Sequence, residues 1–185
     1  NCGAIITWTP PSAIDNCAGL GVVATHSPGF NFPVGVTTVT YTATDGAGNI
    51  STCSFDVTIN DTEAPSITGC PLDITINNDL GNCDALVTCT VPTITDNCAV
   101  ASTTASHNPG DLFTIGTTNV TYTVLDAVGN TSTCSFDVTV NDTENPLISG
   151  CPAPIATNND LGNCDAVVTW TAPIAADNCL GVVLT

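Results

Sequence analysis

Along residues 119–126 the side chains alternate: Val120, Tyr122 and Val124 share one side, and Thr121 and Thr123 the other. Residues 134–140 repeat the pattern, with Cys134, Phe136, Val138 and Val140 opposed to Ser135, Asp137 and Thr139. A period of two sets the apolar groups on one face of an extended chain, so each segment is predicted to be a half-buried antiparallel strand. Elsewhere short β-rich segments alternate with clusters of Asn, Asp, Gly and Pro, and no stretch carries the apolar period of a helix.

The same stretches return along the chain. Cys2, Cys83 and Cys164 stand 81 residues apart, as do Cys17, Cys98 and Cys179; Cys53 and Cys134 keep that spacing, and so do Cys70 and Cys151. "NDLGNCDALVT" at 78–88 recurs as "NDLGNCDAVVT" at 159–169, and "STCSFDVTINDTEAP" at 51–65 as "STCSFDVTVNDTENP" at 132–146. One complete unit is expected at 64–144, preceded by the C-terminal part of a unit at 1–63 and followed by the N-terminal part of another at 145–185. The chain reads as a window cut from a longer array. About seven strands in about 81 residues is the size of an immunoglobulin-like or fibronectin-III-like β-sandwich, so the expected fold is all-β, in tandem sandwiches.

The blocks "CPLDITI", "VTCTVPTITDNC", "FTIGTTNVTYTVLDAVGN" and "TCSFDVTVNDTENP" together resemble the HYR (hyalin repeat) domain, in register over the whole chain. The resemblance implies an immunoglobulin-like sandwich of extracellular matrix and adhesion proteins and of long bacterial surface proteins. The Asn-rich, four-cysteine version is similar to repeats of large secreted surface proteins of Bacteroidetes-type bacteria. It brings no catalytic residues with it.

Composition narrows the function. The chain has no Lys or Arg, 17 Asp plus Glu, two His and a formal charge of −17. Phosphate is held by Lys and Arg, so nucleic-acid binding is not expected, nor attachment to an anionic membrane face, nor phosphoryl transfer. With 43 % hydrophobic and only 9 % charged residues the chain folds rather than behaving as an acidic tail. Eleven cysteines without the CxxC pairs of a zinc site point to disulfides and an extracellular location. No apolar run reaches the roughly 20 residues of a membrane helix, so no membrane insertion is expected, and no signal peptide opens the chain.

Each full unit carries four repeating cysteines. In an immunoglobulin-like topology the starts of the first and last strands lie at one pole, which favours Cys70–Cys134 within the roughly 4.4–6.8 Å between Cα atoms that a disulfide requires. This agrees with the HYR pattern. Cys83–Cys98 follows by exclusion, with Cys2–Cys17 as its counterpart, and Cys70–Cys83 with Cys98–Cys134 is the competing arrangement. Cys89 stands where Trp8 and Trp170 stand in the neighbouring copies. It is expected to be a buried free thiol; a cross-link to another chain is the alternative.

Acidic residues recur at loop ends: Asp15 with Asn16, Asp96 with Asn97, and Asp177, in "DN" pairs; Asp45 with Asn49 and Asp126 with Asn130 in "D-x-x-G-N"; Asp61 with Glu63 and Asp142 with Glu144 at the unit junctions. Ca²⁺ takes six to eight oxygen ligands of these kinds and is the candidate cofactor, while Asp and Asn also dominate turns by bonding their own backbone. His26 and His107 each precede "x-Pro-Gly" and read as loop residues. No catalytic constellation is apparent. The expected function is a non-enzymatic stalk or filament of a large extracellular protein, disulfide-locked and calcium-stiffened. Its partners are the neighbouring repeats of the same chain and other copies in a filament. The alternative is a carbohydrate-binding module, for which exposed aromatic rings are expected.

Overall fold

The structure, a computed structural model, describes residues 2–179; residues 180–185 of the C-terminal part-unit lie outside the described residues. The fold is all-β, with fifteen strands and no helix among the described residues. Two compact units form. One comprises the chain up to Thr68 with Thr93–Thr104 and Thr123–Thr133; the other comprises Gly69–Pro92, Ala105–Tyr122 and the chain from Cys134.

In the first unit β1 (Gly3–Ile6) pairs antiparallel with β3 (Phe30–Pro33). Facing them is an antiparallel sheet of β2 (Gly21–Ala24), β4 (Gly35–Thr44) and β5 (Ile50–Ile59), in the order β2-β4-β5. Phe32, Val39, Tyr41 and Val57 close the core between the layers, with Ile6, Trp8 and Ile59 packed against it. The same unit holds the short antiparallel pair β6 (Ser66–Thr68) and β9 (Thr93–Thr95).

The complete copy of the repeat follows the same plan with one more strand. β8 (Asp84–Val87) pairs antiparallel with β11 (Asp111–Thr114). β7 (Ile74–Asn77) lies parallel to the end of β13 (Thr131–Asn141), in a four-stranded sheet ordered β10-β12-β13-β7, where β10 is Val100–Ala105 and β12 is Gly116–Asp126. An early strand laid beside the last one, with a second layer behind, is the immunoglobulin-like arrangement. The alternation read from the sequence holds: Val120, Tyr122, Val124, Phe136, Val138 and Val140 are buried, and all but Val124 join Ala85, Val87 and Phe113 in one core. β14 (Leu147–Ser149) and β15 (Ile174–Ala176) pair as β6 and β9 do.

The two cores differ at one corner. The indole Nε1 of Trp8 donates to the Tyr41 hydroxyl at 2.7 Å, and the ring stacks edge-on to Phe55 at 5.4 Å. Tyr122 is the counterpart of Tyr41, but Cys89 replaces the indole, and the buried Tyr122 hydroxyl has no hydrogen-bond partner. Burial, with the Cys89 thiol beside it, pushes the ionisation of Tyr122 above its usual value. Cys89 itself is half-buried and packs on the second core. An unpaired buried hydroxyl costs about 1–3 kcal/mol, so Cys89→Trp is expected to stabilise the chain by about that much. Urea unfolding would register the gain as a higher midpoint at constant slope, and an unchanged midpoint would show that the corner cannot take the ring.

Candidate functional site

The chemistry-bearing residues gather where one copy of the repeat ends and the next begins, and each unit contains one such junction. Disulfides cross both. Cys2 is bonded to Cys98, with Cα atoms 4.5 Å apart, and Cys83 to Cys179, at 5.1 Å. A third bond joins Cys70 to Cys134, at 6.1 Å, inside one copy. The structure therefore corrects the expected Cys83–Cys98 and Cys2–Cys17 pairs. The run from Cys83 to Cys98 is spent on β8 and β9 without a hairpin, so its ends do not return to each other; Cys83 instead meets the "DNC" loop of the following copy. Cys17, Cys53, Cys151 and Cys164 are free, although each is the counterpart of a bonded cysteine: Cys98, Cys134, Cys70 and Cys83 respectively.

Carboxylates converge beside both crossing bonds. Oxygens of Asp61 and Asp96 lie with the Cys98 sulfur within 4.8 Å of one another, and those of Asp142 and Asp177 lie likewise with Cys179. Both sulfurs are tied up in disulfides and offer no thiolate to a metal. Asp96 Oδ2 accepts the N–H groups of Cys98 and Ala99 at 2.8 and 2.9 Å, whereas Asp96 Oδ1 and Asn97 Oδ1 are buried with no partner. A cavity of about 180 Å³ alongside is lined by Asp61, Glu63 and Asn97. The chain has no Lys or Arg to neutralise the pair. Two carboxylates and an orphaned amide oxygen suit a hard cation such as Ca²⁺.

The "D-x-x-G-N" residues serve a different purpose. Asp126, 3 % exposed, accepts the backbone N–H groups of Val128, Gly129 and Asn130 on Oδ1 at 2.7–2.9 Å and the Asn130 amide on Oδ2 at 2.7 Å. Gly129, at φ 97°, supplies the left-handed residue that turns those donors inward. The Asn130 amide also donates to the carbonyls of Asp61 and Glu63, at 3.2 and 3.3 Å. The turn thus clamps the linker, with its carboxylate already saturated by protein donors. Asp45 is capped in the same way by Ala47 and Asn49. The Asn49 side chain and then its backbone N–H hold Asp45 below the usual carboxylate value; for Asp126 burial pushes upward, but the Asn130 side chain and the turn N–H groups outweigh it and lower the value.

The remaining candidates divide. Asp15 caps the Cys17 N–H at 2.6 Å and, like Asn16, is exposed; it lines one groove of about 410 Å³ together with Asp45 and Asn49. Glu144 accepts the Gly81 N–H at 2.6 Å, and Asp142 that of Glu144 at 3.1 Å. Two further junction residues escape a search for repeated acids. Asn78, 9 % exposed, donates to the Asn82 carbonyl and accepts from the Thr143 N–H; Asn178 donates to the same carbonyl at 2.7 Å. Their signal is recurrence in "NDLGNC" and "DNC". The His26 ring stacks on Phe30, centroids 4.6 Å apart, and His107 on Phe113 at 4.9 Å.

Immunoglobulin-like sandwiches bonded covalently from copy to copy define a class of disulfide-stabilised extracellular repeat proteins. The chain belongs to the HYR domain family, whose profile matches residues 1–59 and 60–140. It is similar to Hyalin of Strongylocentrotus purpuratus, at 39 % identity over 93 % of this chain and 15 % of that protein. Hyalin of Lytechinus variegatus is 38 % identical over 94 % of this chain and 34 % of its own length. The Sushi, von Willebrand factor type A, EGF and pentraxin domain-containing protein 1 of Rattus norvegicus is 36 % identical over 74 % of this chain and 4 % of its own. The chain thus spans a minor part of the relatives it matches. These relatives are animal proteins, not the bacterial surface proteins of the sequence resemblance, and with the disulfides they set the chain in an extracellular or cell-surface setting.

Two outcomes are expected. Non-reducing maps made with a protease that cuts at Asp and Glu should recover Cys2 joined to Cys98 and Cys83 joined to Cys179. Cys83→Ser with Cys179→Ser should cost about 2–5 kcal/mol; recovery of a Cys83–Cys98 peptide would restore the pairing within one copy. The depressed carboxyls of Asp45 and Asp126 contribute stability that is complete above about pH 4 and lost as pH falls through their folded values. Asp126→Ala should therefore melt lower at neutral pH and decline less steeply in acid, which thermal melts across that range would check.

Proposed function

We propose that this chain is part of a non-enzymatic tether, a run of HYR sandwiches that transmits force along a large adhesion-type extracellular protein. The observation that carries the reading is the pair of crossing disulfides. From Cys2 the covalent path passes to Cys98, back along the chain to Cys83, and across to Cys179. Tension between Cys2 and Cys179 therefore runs through two sulfur bridges and the short backbone stretch between Cys83 and Cys98, whatever happens to the sandwiches. An enzyme gains nothing from such a bypass, whereas a tether keeps its length when a domain melts. The groove of about 410 Å³ in the first unit presents one aromatic ring, that of the mostly buried Tyr41, which gives little support to a carbohydrate-binding reading.

Calcium belongs to the same proposal in a narrower form than the list of repeated acids. Asp61, Asp96 and Asn97 would hold it, with Glu63 beside the same cavity and Asp142 with Asp177 at the second junction. The ion would supply the positive charge that the chain lacks, between residues of adjoining copies.

Single-molecule pulling from the ends tests the tether. In the oxidised protein extension should stop at about 80 Å, the reach of the stretch between Cys83 and Cys98 with the two bridges and the end residues, and in the reduced protein it should run to several hundred Å. Long steps without reductant would remove the bypass. For the ion, calcium at about 100 times its dissociation constant should add about 2.7 kcal/mol, read as a rise in melting temperature that chelator reverses and Asp96→Ala abolishes. A melt indifferent to calcium would dismiss the metal while leaving the tether standing.

A further inference from the structure

We propose that the joint between successive copies is a modification site, at which Asn60 and Asn141 carry an N-linked oligosaccharide on their side-chain nitrogens. This rests on the extracellular setting and on side-chain geometry; neither the tether nor the cation enters it.

Five Asn-Xaa-Ser/Thr runs occur, at Asn49, Asn60, Asn119, Asn130 and Asn141. Outside cells such a run is an acceptor for an oligosaccharide, but in a chain rich in Asn and Thr the run alone decides nothing. Attachment exchanges one of the two hydrogens of the amide nitrogen for a sugar ring, so an amide already committed to protein acceptors is a poor carrier. Asn130 is the clearest case. It is half-buried, and its Nδ2 serves Asp126 Oδ2 at 2.7 Å and the carbonyls of Asp61 and Glu63. A sugar there would open the linker clamp and strip the buried Asp126 of a donor. Asn49 Nδ2 donates to Asp45 Oδ2 at 2.7 Å in the equivalent turn. Asn119 is tied at both ends of its amide, Nδ2 donating to Asp137 Oδ1 at 2.7 Å and Oδ1 accepting from the Thr121 hydroxyl at 3.0 Å.

Asn60 and Asn141 differ on each count. Both are exposed, and among the described residues neither side chain makes a hydrogen bond. Asn60 directly follows β5 and Asn141 is the last residue of β13, and each opens the same run, Asn-Asp-Thr. Their surroundings complement each other. At Asn60 the Asn130 clamp is in place on the residues that follow; at Asn141 the neighbouring strand β7 is in place, with Asn77 opposite. Neither covers the residue, so its exposure does not depend on either neighbour. Asn60 also lines the cavity of about 180 Å³ with Asp61, Glu63 and Asn97. A hydrated, uncharged chain attached there adds no further charge to the carboxylates.

In the transfer the amide nitrogen displaces the diphosphate of a lipid-linked oligosaccharide at the anomeric carbon. A carbon–nitrogen bond forms, the carbon–oxygen bond breaks, the lipid diphosphate leaves with the electron pair and the amide gives up one proton. The animal secretory route supplies this donor, and the matched relatives are animal proteins. Transfer precedes folding, so the folded structure decides which carriers reach the outside: a chain bearing sugar on Asn130 cannot close its junction.

The test is the 185-residue chain secreted from cultured animal cells behind a signal peptide. Peptide N-glycosidase in heavy-oxygen water turns each occupied asparagine into a labelled aspartate, and mass spectrometry of elastase peptides reads the positions. Label is expected at Asn60 and Asn141 and is expected to be lost from Asn49, Asn119 and Asn130. Thr62→Ala and Thr143→Ala, which leave the asparagines in place, should each lower the secreted mass by one oligosaccharide. Ser132→Ala, which removes the Asn130 run, should leave it unchanged. Label missing from Asn60 or Asn141 in the secreted protein, or equal label on any of the other three, would overturn the proposal, and so would a mass that falls with Ser132→Ala.

Discussion

Residues 84–87 and 165–168 read Asp-Ala-Leu-Val and Asp-Ala-Val-Val in otherwise matching surroundings. The first is a strand, opposed residue by residue to Asp111–Thr114; the second forms none among the described residues, and Val167 stands 84 % exposed. Local propensity is the same in both, but the counterpart of Asp111–Thr114 for the second run falls past residue 185, the last of this sequence, so only the first has its partner here. A strand satisfies its backbone only through another strand, and every sandwich here draws those partners from segments tens of residues away. The contrast between Phe55, 39 % exposed, and its counterpart Phe136, 3 % exposed, is the same constraint expressed in the side chains: burial follows once β7 closes the edge. Packing therefore groups the tail of one copy with the entry pole of the next, and the compact units do not coincide with the repeats that the sequence displays.

That dependence explains which parts of the fold could be read from one sequence. Alternation is a property of a single strand, so the buried faces of β12 and β13 are visible in residues 119–126 and 134–140. The pairing of Cys83 with Cys179 is a property of two copies. A search for partners within one copy meets Cys98 first and stops there. Seen from Cys98, the partner lies one copy back. The spacing that would have found both bonds is the shift of one whole repeat that also relates the sequence blocks.

The acidic residues sort by the same logic. A "D-x-x-G-N" run contains everything its Asp requires: three N–H groups, an amide and a glycine to turn them inward. Asp126 therefore ends with its hydrogen bonds made, and its recurrence reports turn chemistry. Asp61 and Asp96 are each unremarkable in sequence and are brought together only by the junction, where the shortage of donors becomes visible as the unpartnered oxygens of Asp96 and Asn97. The first case is contained in five consecutive residues, whereas the second depends on Asp61 and Asp96, which stand 35 residues apart in the chain.

Stapling and charge act on the junction in opposite directions. Carboxylates crowded without a single Lys or Arg push adjoining copies apart, and at about 4–5 Å that repulsion is felt even near a protein surface. The Cys2–Cys98 and Cys83–Cys179 bonds hold those copies together regardless of ionic conditions. Under the proposed function, a cation among these oxygens would offset that repulsion, beside the Asn130 clamp on the linker. In the proposed tether these two influences would be separate: the disulfides would limit how far the chain can be drawn out, and a cation at the carboxylates would act on the repulsion alone.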